Sequence, residues 1–454
     1  MRHPFKPSKH GKPFKWLAVG STLLCCSLTV SSMDLLQAYQ AAQSNDATLL
    51  AARATAVAER ERLPQAKAQL FPNLSAGLSH NKNRLESTAP NFLGVEQTTN
   101  TSYPSSNKSL TLRQPIFRKQ LMAQYRQATA QVDDAEAALA LEEQNLAVRV
   151  SGAYFEAMLT HDQLALVLAQ QKAYTEQLDA ARKTFAAGSG TRTDVDEAQA
   201  RLDMNLADEI EARQNVAYTL QQLQILVNQP IDKLATLKVA TLELLEPQPN
   251  RLQDWIERAE LNNPQLKSLK ARVEIARQET EKARSGHYPT LDAIAQWTDS
   301  DSESVTNTKQ RYVNKLVGMQ LNIPLFAGGY VNSQVRQTLA GLERAEQLLE
   351  AGRRNLGLRV AKEFRGMTEN VPKIKALEQA LRSADQLVLS SQKSFQAGTR
   401  TILDISNAEQ QRMVVQRDLA QSRYTYLISK IGLMELVGGA DEVAVVALNQ
   451  VLQD

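Results

Sequence analysis

The sequence predicts a mainly α-helical, internally duplicated rod with a β-barrel-forming sheet at one end. Three observations predict it. The stretch FAAGSGTRTDVDEAQ at Phe185–Gln199 returns as FQAGTRTILDISNAE at Phe395–Glu409, with Phe185, Gly188, Asp194 and Ala198 recurring 210 residues later as Phe395, Gly398, Asp404 and Ala408. Apolar residues at helical spacing fill most of the chain, near a 3.5-residue repeat in Phe117–Ala187, and the chain has only 5% aromatics and is rich in Ala, Gln, Leu, Glu and Arg. Four short alternating stretches, bounded by Pro72, Pro115, Pro289 and Pro324, interrupt the helices at matched places in the two halves.

The first 15 residues carry Arg2, Lys6, Lys9, Lys12 and Lys15 without an acid, and an apolar run from Trp16 to Val30 leads to Ser31 and Ser32. That layout predicts a signal peptide over 1–32. Its removal changes the formal balance from +3 to −2 and takes away both cysteines, Cys25 and Cys26. The basic balance thus belongs to the leader, and no basic stripe with interleaved aromatics is left to favour nucleic acid. Beyond residue 33 no run of 18 apolar residues exists, so any membrane crossing has to be made by β-strands.

A helix is expected over Leu35–Leu70. Alternation from Leu74 to Leu78 predicts a strand, a polar loop is expected over 82–108, and Leu110 and Leu112 begin a second strand. Phe117–Ala187 contains no proline and a single glycine, which predicts one helix of about 71 residues. A GSG turn and a helix over Arg192–Val227 follow, and Asn228 and Pro230 stop it. After a mixed linker at 231–251 the program repeats: a helix over Leu252–Gly286, strands around 291–297 and 313–323, and a helix over Phe326–Ala397. Gly357, Gly366 and Pro372 predict a kink in the latter. A last helix over Thr401–Val437 leads into a tail at 438–454. The organisation read from these signals is a repeat at 33–230, a linker at 231–251, a second repeat at 252–437 and a terminal segment at 438–454.

The short helices measure about 36, 36, 35 and 37 residues and the long ones about 71 and 72. Two short helices laid end to end therefore match one long helix, with the strands at one end, the two turns at the other, and 231–251 and the tail at mid-height. Strands of about 8–11 residues with one apolar face have the length of membrane-spanning β-strands. Four strands cannot close a barrel, and open edges are not tolerated in lipid, so three chains giving twelve strands is the natural solution.

The duplicated order of elements, the prolines at the helix-to-strand joints and the motif GTRTILD at Gly398–Asp404 resemble the TolC family of outer-membrane efflux ducts, and the resemblance covers nearly the whole mature chain. It implies a homotrimer in the outer membrane of a Gram-negative bacterium, with a twelve-stranded barrel continuous with a twelve-helix periplasmic tunnel. A periplasmic adaptor and an inner-membrane ABC or RND transporter would dock at the turn end, for efflux or type I protein export without catalysis or cofactor. The competing reading is a secreted structural or adhesive coiled-coil protein, which explains the helices but not the paired strands.

Asp194 and Asp404 stand three residues after Thr191 and Thr401, so both fit the first turn of a helix as capping acids. In a trimer each would also form a ring of three carboxylates near the axis, favouring cations and raising one another's pKa. The resemblance favours that role for Asp404. It also marks two departures: Asn407, where relatives can carry a second acid, and Phe395, where a tyrosine hydroxyl helps latch the closed turn. Arg192 and Arg400 are candidates for bridges between chains or for solvated side chains. Gly188, Gly190, Gly398 and Thr399 form the turns an adaptor would meet. No metal site is suggested: His80, His161 and His287 are isolated, and GSGTRT at Gly188–Thr193 lacks P-loop spacing and follows a helix.

Overall fold

The structure is a computed structural model and describes residues 32–238, 242–302 and 310–453. The leader, apart from Ser32, lies outside the described residues. Helices α1 (Leu35–Asn45), α2 (Ala47–Arg60) and α3 (Arg62–Ala68) lead to strands β1 (Asn73–Pro90) and β2 (Glu96–Phe117), the long α4 (Lys119–Ala186) and α5 (Arg192–Val227). A short β3 (Thr236–Leu237) precedes the second half. It comprises α6 (Leu252–Asn262), α7 (Pro264–Arg284), β4 (Thr290–Ser302), β5 (Gln310–Asn322), α8 (Tyr330–Thr368), α9 (Asn370–Gln396) and α10 (Ile402–Leu436). Helix α11 (Glu442–Asn449) and β6 (Leu452–Gln453) close the chain.

Helix α4, at 68 residues, is roughly 100 Å long at 1.5 Å per residue. Towards the strands it packs between α2–α3 and α7, and α7 in turn meets α8. Towards the turns α4 lies between α5 and α10, and α10 meets α9. Each half of the rod is thus four helical segments wide. Small residues on α4, Ala123, Ala128, Ala130 and Ala137, are buried along the strand-side half and let the helices approach closely.

Both expected short helices on the strand side are interrupted where a single rod was predicted, and at equivalent places. Asp46 ends α1 and caps α2, its carboxylate accepting the Leu49 N–H at 2.7 Å. Asn263, 217 residues on, caps α7 the same way with the Leu266 N–H at 3.1 Å, and Pro264 begins the helix. These breaks are the joints at which half-length helices meet. Asn45 Nδ2 donates to the Val227 carbonyl at the end of α5, and Asn263 Nδ2 to the Leu436 carbonyl at the end of α10 (3.4 and 3.0 Å). The expected kink separates α8 from α9 at Glu369, with Pro372 in the first turn of α9 and Asn370 Nδ2 occupying the Gly366 carbonyl.

The main core lies around these joints. Leu35, Leu146, Tyr154, Phe155, Leu223, Ile374, Tyr426 and Ile431 are among its fully buried members. A belt of irregular chain covers it. Met33 pairs in parallel with Leu234, β3 pairs with β6, and Asn449 accepts the Leu35 N–H at 3.1 Å while donating to Asp34. Two tyrosines pin the belt. The Tyr154 hydroxyl donates to the Met33 carbonyl (2.8 Å) and accepts the Ala235 N–H (3.1 Å). The Tyr426 hydroxyl does the same for both backbone groups of Leu245. The tail contains α11, capped by Asp441.

At the other end β1–β2–β4–β5 form an antiparallel sheet whose two outer strands, β1 and β5, each have one edge unpaired among the described residues. The strands run 18, 22, 13 and 13 residues, longer than expected, and the polar loop predicted over 82–108 is instead the upper part of a β1–β2 hairpin turning at 91–95. Ser, Thr and Asn on both faces read as loop in sequence, yet the ladder continues because backbone pairing does not depend on an apolar face. The register gathers Leu74, Leu112, Ala295 and Val317 into one row, and Ala76, Leu110, Trp297 and Lys315 into the next. The reverse face carries rows such as Gly77, Ser109, Thr298 and Asn314.

Candidate functional site: the paired turns

Helices α4 and α9 end alike. Gly188 and Gly398 both take the left-handed conformation at φ +75°, which an L side chain rarely adopts. The next N–H, of Ser189 or Thr399, reaches back to the Thr184 or Ser394 carbonyl (3.1 and 2.9 Å), closing a Schellman turn. At Gly190 a Cβ would come within 2.8 Å of Thr184 Oγ1, whereas the matching position in the second turn is Arg400.

The capping expectation for both acids is met within one chain. Asp194 Oδ2 accepts the Thr191 N–H and hydroxyl at 2.9 and 2.7 Å, while its own N–H donates to Thr191 Oγ1. Asp404 repeats the pattern with Thr401, at 2.9 Å for both accepted bonds. These hydrogen bonds, made within one chain, hold both carboxyls below the usual aspartate range. A carboxylate with a depressed pKa contributes stability that is present above its unfolded value of about 4 and lost as the pH falls through the lower folded value. Hydrogen-exchange protection at amides 192–196 and 402–406 is therefore expected to fall between pH 6 and pH 3. Equal protection at both pH values would remove the capping acids as the anchors of the turns.

The remaining sequence-predicted residues are spread around this end. Arg192 is exposed and pairs with Asp196 on its own helix at 3.0 Å; Arg400 donates to Ser391 Oγ at 2.9 Å. Phe395 is half-buried and Phe185 exposed. Asn407 accepts from Arg201 of α5 at 3.2 Å, which ties the two hairpins together, and Arg201 also pairs with Glu197. Sequence reading missed this link and a second beside it. Gln177 of α4 accepts the Ser406 hydroxyl at 2.5 Å and donates to Glu409 at 3.2 Å. Burial pushes the Glu409 carboxyl up, nearby Arg412 opposes that, and Glu176 adds to it. Below them Leu178, Ala181 and Ala198 form a small apolar cluster that holds α4 against α5.

The sheet is the other functional surface. Val317, Met319 and Leu321 are 88%, 76% and 59% exposed, an apolar face with nothing over it. On β5 that side runs from Val313 through Lys315 to Leu321, roughly 27 Å at about 3.4 Å per residue, with the uncharged rows at its Val317–Leu321 end and Lys108, Asp299 and Lys315 in the rows nearer Val313. Among the described residues no helix is long and apolar enough to cross a membrane.

Known proteins share this architecture. The family model described as "Outer membrane efflux protein" matches residues 38–229 and 255–439, one block per repeat. The chain is 33% identical to the alkaline protease secretion protein AprF of Pseudomonas aeruginosa over 94% of this chain and 89% of that one. To the outer membrane protein TolC of Escherichia coli (strain K12) it is 29% identical, over 96% and 88%. The solved structure of the outer membrane protein VceC from Vibrio cholerae superposes with a TM-score of 0.74 at 19% identity, covering 89% of this chain and 96% of that one. The structural adhesin alternative has no support among these relatives. With its duplicated helical rod, its paired turns and its apolar-faced sheet, the chain belongs to the outer membrane efflux protein family and is an outer-membrane channel of the TolC kind.

Proposed function

We propose that three copies close their sheets into one twelve-stranded barrel and their helices into one tunnel, and that this duct passively exports cargo delivered by an inner-membrane transporter through a periplasmic adaptor. The observation that carries the reading is the pair of unpaired edges, β1 and β5, on a sheet with an apolar face. In lipid those backbone groups need partners, and a neighbour's β5 against β1 supplies them without any new element. Residues 1–32 serve as the leader, 33–230 and 252–437 as the wall-forming repeats, and 231–251 with 438–454 as the belt.

Of the transporter classes that could feed such a duct, an ABC exporter of a secreted protein is our reading, supported by AprF, whose name states protease secretion. Adaptor capture would use the exposed turns at Gly188–Gly190 and Gly398–Thr399. No chemistry is assigned to the chain: the duct supplies a path, and the transporter supplies the energy.

At the tunnel entrance Asp404, and Asp194 beside it, would place rings of three carboxylates, with Asn407, Arg192, Arg400 and Phe395 setting how tightly the turns close. Purified trimer in planar bilayers is expected to show a small, cation-preferring conductance, and Asp404→Ala to lower the cation-to-anion permeability ratio about twofold or more. Unchanged selectivity would remove Asp404 from the entrance. Cross-linking in cells followed by trimer purification should recover an ABC transporter; recovery of an RND pump instead would overturn the export reading in favour of small-molecule efflux.

A further inference from the structure

The β1–β2 hairpin outgrows the sheet. The four strands stay together up to the row of Asn81, Ser105, Ser302 and Gln310, and beyond it, among the described residues, β1 and β2 continue alone through nine pairs, from Lys82–Pro104 to Pro90–Glu96. At about 3.4 Å per residue this ribbon projects roughly 30 Å past the sheet. An isolated two-stranded ribbon is marginal in water, so its faces should show what it rests on.

They do, because the polarity of the two faces inverts along the strand. Within the sheet the even-numbered residues of β1 and β2, such as Leu74, Ala76, Leu110 and Leu112, form the apolar lipid-facing side. In the ribbon the same even-numbered side carries all of its charge, Lys82, Arg84, Glu86 and Glu96. The odd-numbered side, which is continuous with the barrel lumen, carries Leu85 and Tyr103 instead, and these two are half-buried. Once past the lipid, the charged side faces outward and the uncharged side, with Leu85, Ala89 and Tyr103 among neutral polar residues, faces inward.

The ribbon ends in a built turn. Asn91 Oδ1 accepts the Leu93 and Val95 N–H groups (2.9 and 3.2 Å), and the Asn91 carbonyl accepts the Gly94 N–H at 2.9 Å, with Gly94 at φ +75°. This frame displays Phe92, Leu93 and Val95, which are 95%, 71% and 61% exposed. Three adjacent apolar side chains are thus held in water at the outermost point of the chain.

We propose that these tips are a self-association surface: in the trimer the three ribbons lean inward over the barrel mouth, and Phe92, Leu93 and Val95 of each copy pack against those of the other two at the threefold axis. This rests on the trimeric reading above. A twelve-stranded barrel tilted about 40° has a radius of roughly 12 Å, so each ribbon is long enough to reach the axis. The tips would form an apolar constriction at the extracellular end, separate from the acidic entrance at the turns, and cargo must part it to leave.

The mature chain is expected to be free of cysteine, so Leu93→Cys provides a single reporter. In assembled trimers, mild oxidation should join two of the three copies as a disulfide-linked pair on a non-reducing gel, while unmodified trimers give none. Phe92→Ser with Leu93→Ser should raise single-channel conductance at least about twofold without changing trimer yield, because an apolar constriction limits flow by dewetting. Intact trimers with no cross-link and unchanged conductance would overturn the proposal while leaving the trimer standing. A tip seated in lipid headgroups would also overturn it, with Leu93→Cys uncross-linked and shielded from a water-soluble maleimide. Absence of trimers in the unmodified protein would overturn both readings.

Discussion

Val317→Arg is expected to abolish assembly of the channel in the outer membrane. Val317 sits midway along the apolar face of β5, in the row with Leu74, Leu112 and Ala295, and is 88% exposed in the single chain. An arginine on the lipid face of a barrel costs about 2–4 kcal/mol near the midplane. Threefold symmetry repeats that cost at distant, independent sites, so the trimer loses about 6–12 kcal/mol, comparable with the whole stability of many folded domains. The heat-modifiable trimer should vanish from the outer-membrane fraction. Asn314→Arg supplies the contrast. Asn314 lies three residues away on the opposite face, with Gly77, Ser109 and Thr298 as its row neighbours. There the added charge meets water in the lumen, so assembly should survive, with selectivity moved toward anions. If both variants assembled equally well, the apolar face would not be the one that meets lipid.

How much of this was legible in sequence depended on the range of the interaction that fixes each feature. The long helix α4 and the turns at Gly188 and Gly398 follow from periodicity and from glycine's access to positive φ, which are local, and the predicted ends fell within a few residues of the observed ones. The capping acids were legible for the same reason, because T-x-x-D is a contact across three residues. The break at Asp46 was not, and the one at Asn263 was overlooked although Asn263–Pro264 is a local start signal. The hydrophobic period continues across both, and what stops the helix is an Asx cap whose second role is tertiary, through Arg149 in one copy and the Leu436 carbonyl in the other. The upper β1–β2 ribbon was misread as loop because a strand with little apolar surface has no distinctive composition. At the site, Gln177 meets Ser406 and Glu409 across more than 200 residues of chain. Such a contact is set by the packing register of α4 against α10, and no spacing in the sequence encodes it.

Tyr154→Ala is expected to release the mid-height belt while leaving both ends of the rod intact. Tyr154 lies near the midpoint of α4, fully buried, with its ring edge-on to Phe155 at 6.1 Å. Removing a buried aromatic ring costs about 3–5 kcal/mol. The lost hydroxyl also removes one of the two bonds to the Met33 carbonyl, which still accepts the Ala235 N–H at 3.2 Å, so Tyr154→Phe alone should cost only about 1 kcal/mol. If the loss falls on local opening of the belt, proteolytic cleavage within 231–251 should accelerate by roughly two to four orders of magnitude in the alanine variant and by less than about tenfold in the phenylalanine variant. The effect belongs at the belt because of how the rod is built. Two half-length helices placed end to end create a joint where several backbone carbonyls and N–H groups have no helical partner. Asn45 and Asn263 satisfy one carbonyl at each joint. The rest must be covered by neighbouring chain, and Tyr154 and Tyr426 hold that chain against the joints in the two repeats. Wild-type cleavage rates in both Tyr154 variants would mean that the belt is anchored elsewhere, and that the joints are stable without it.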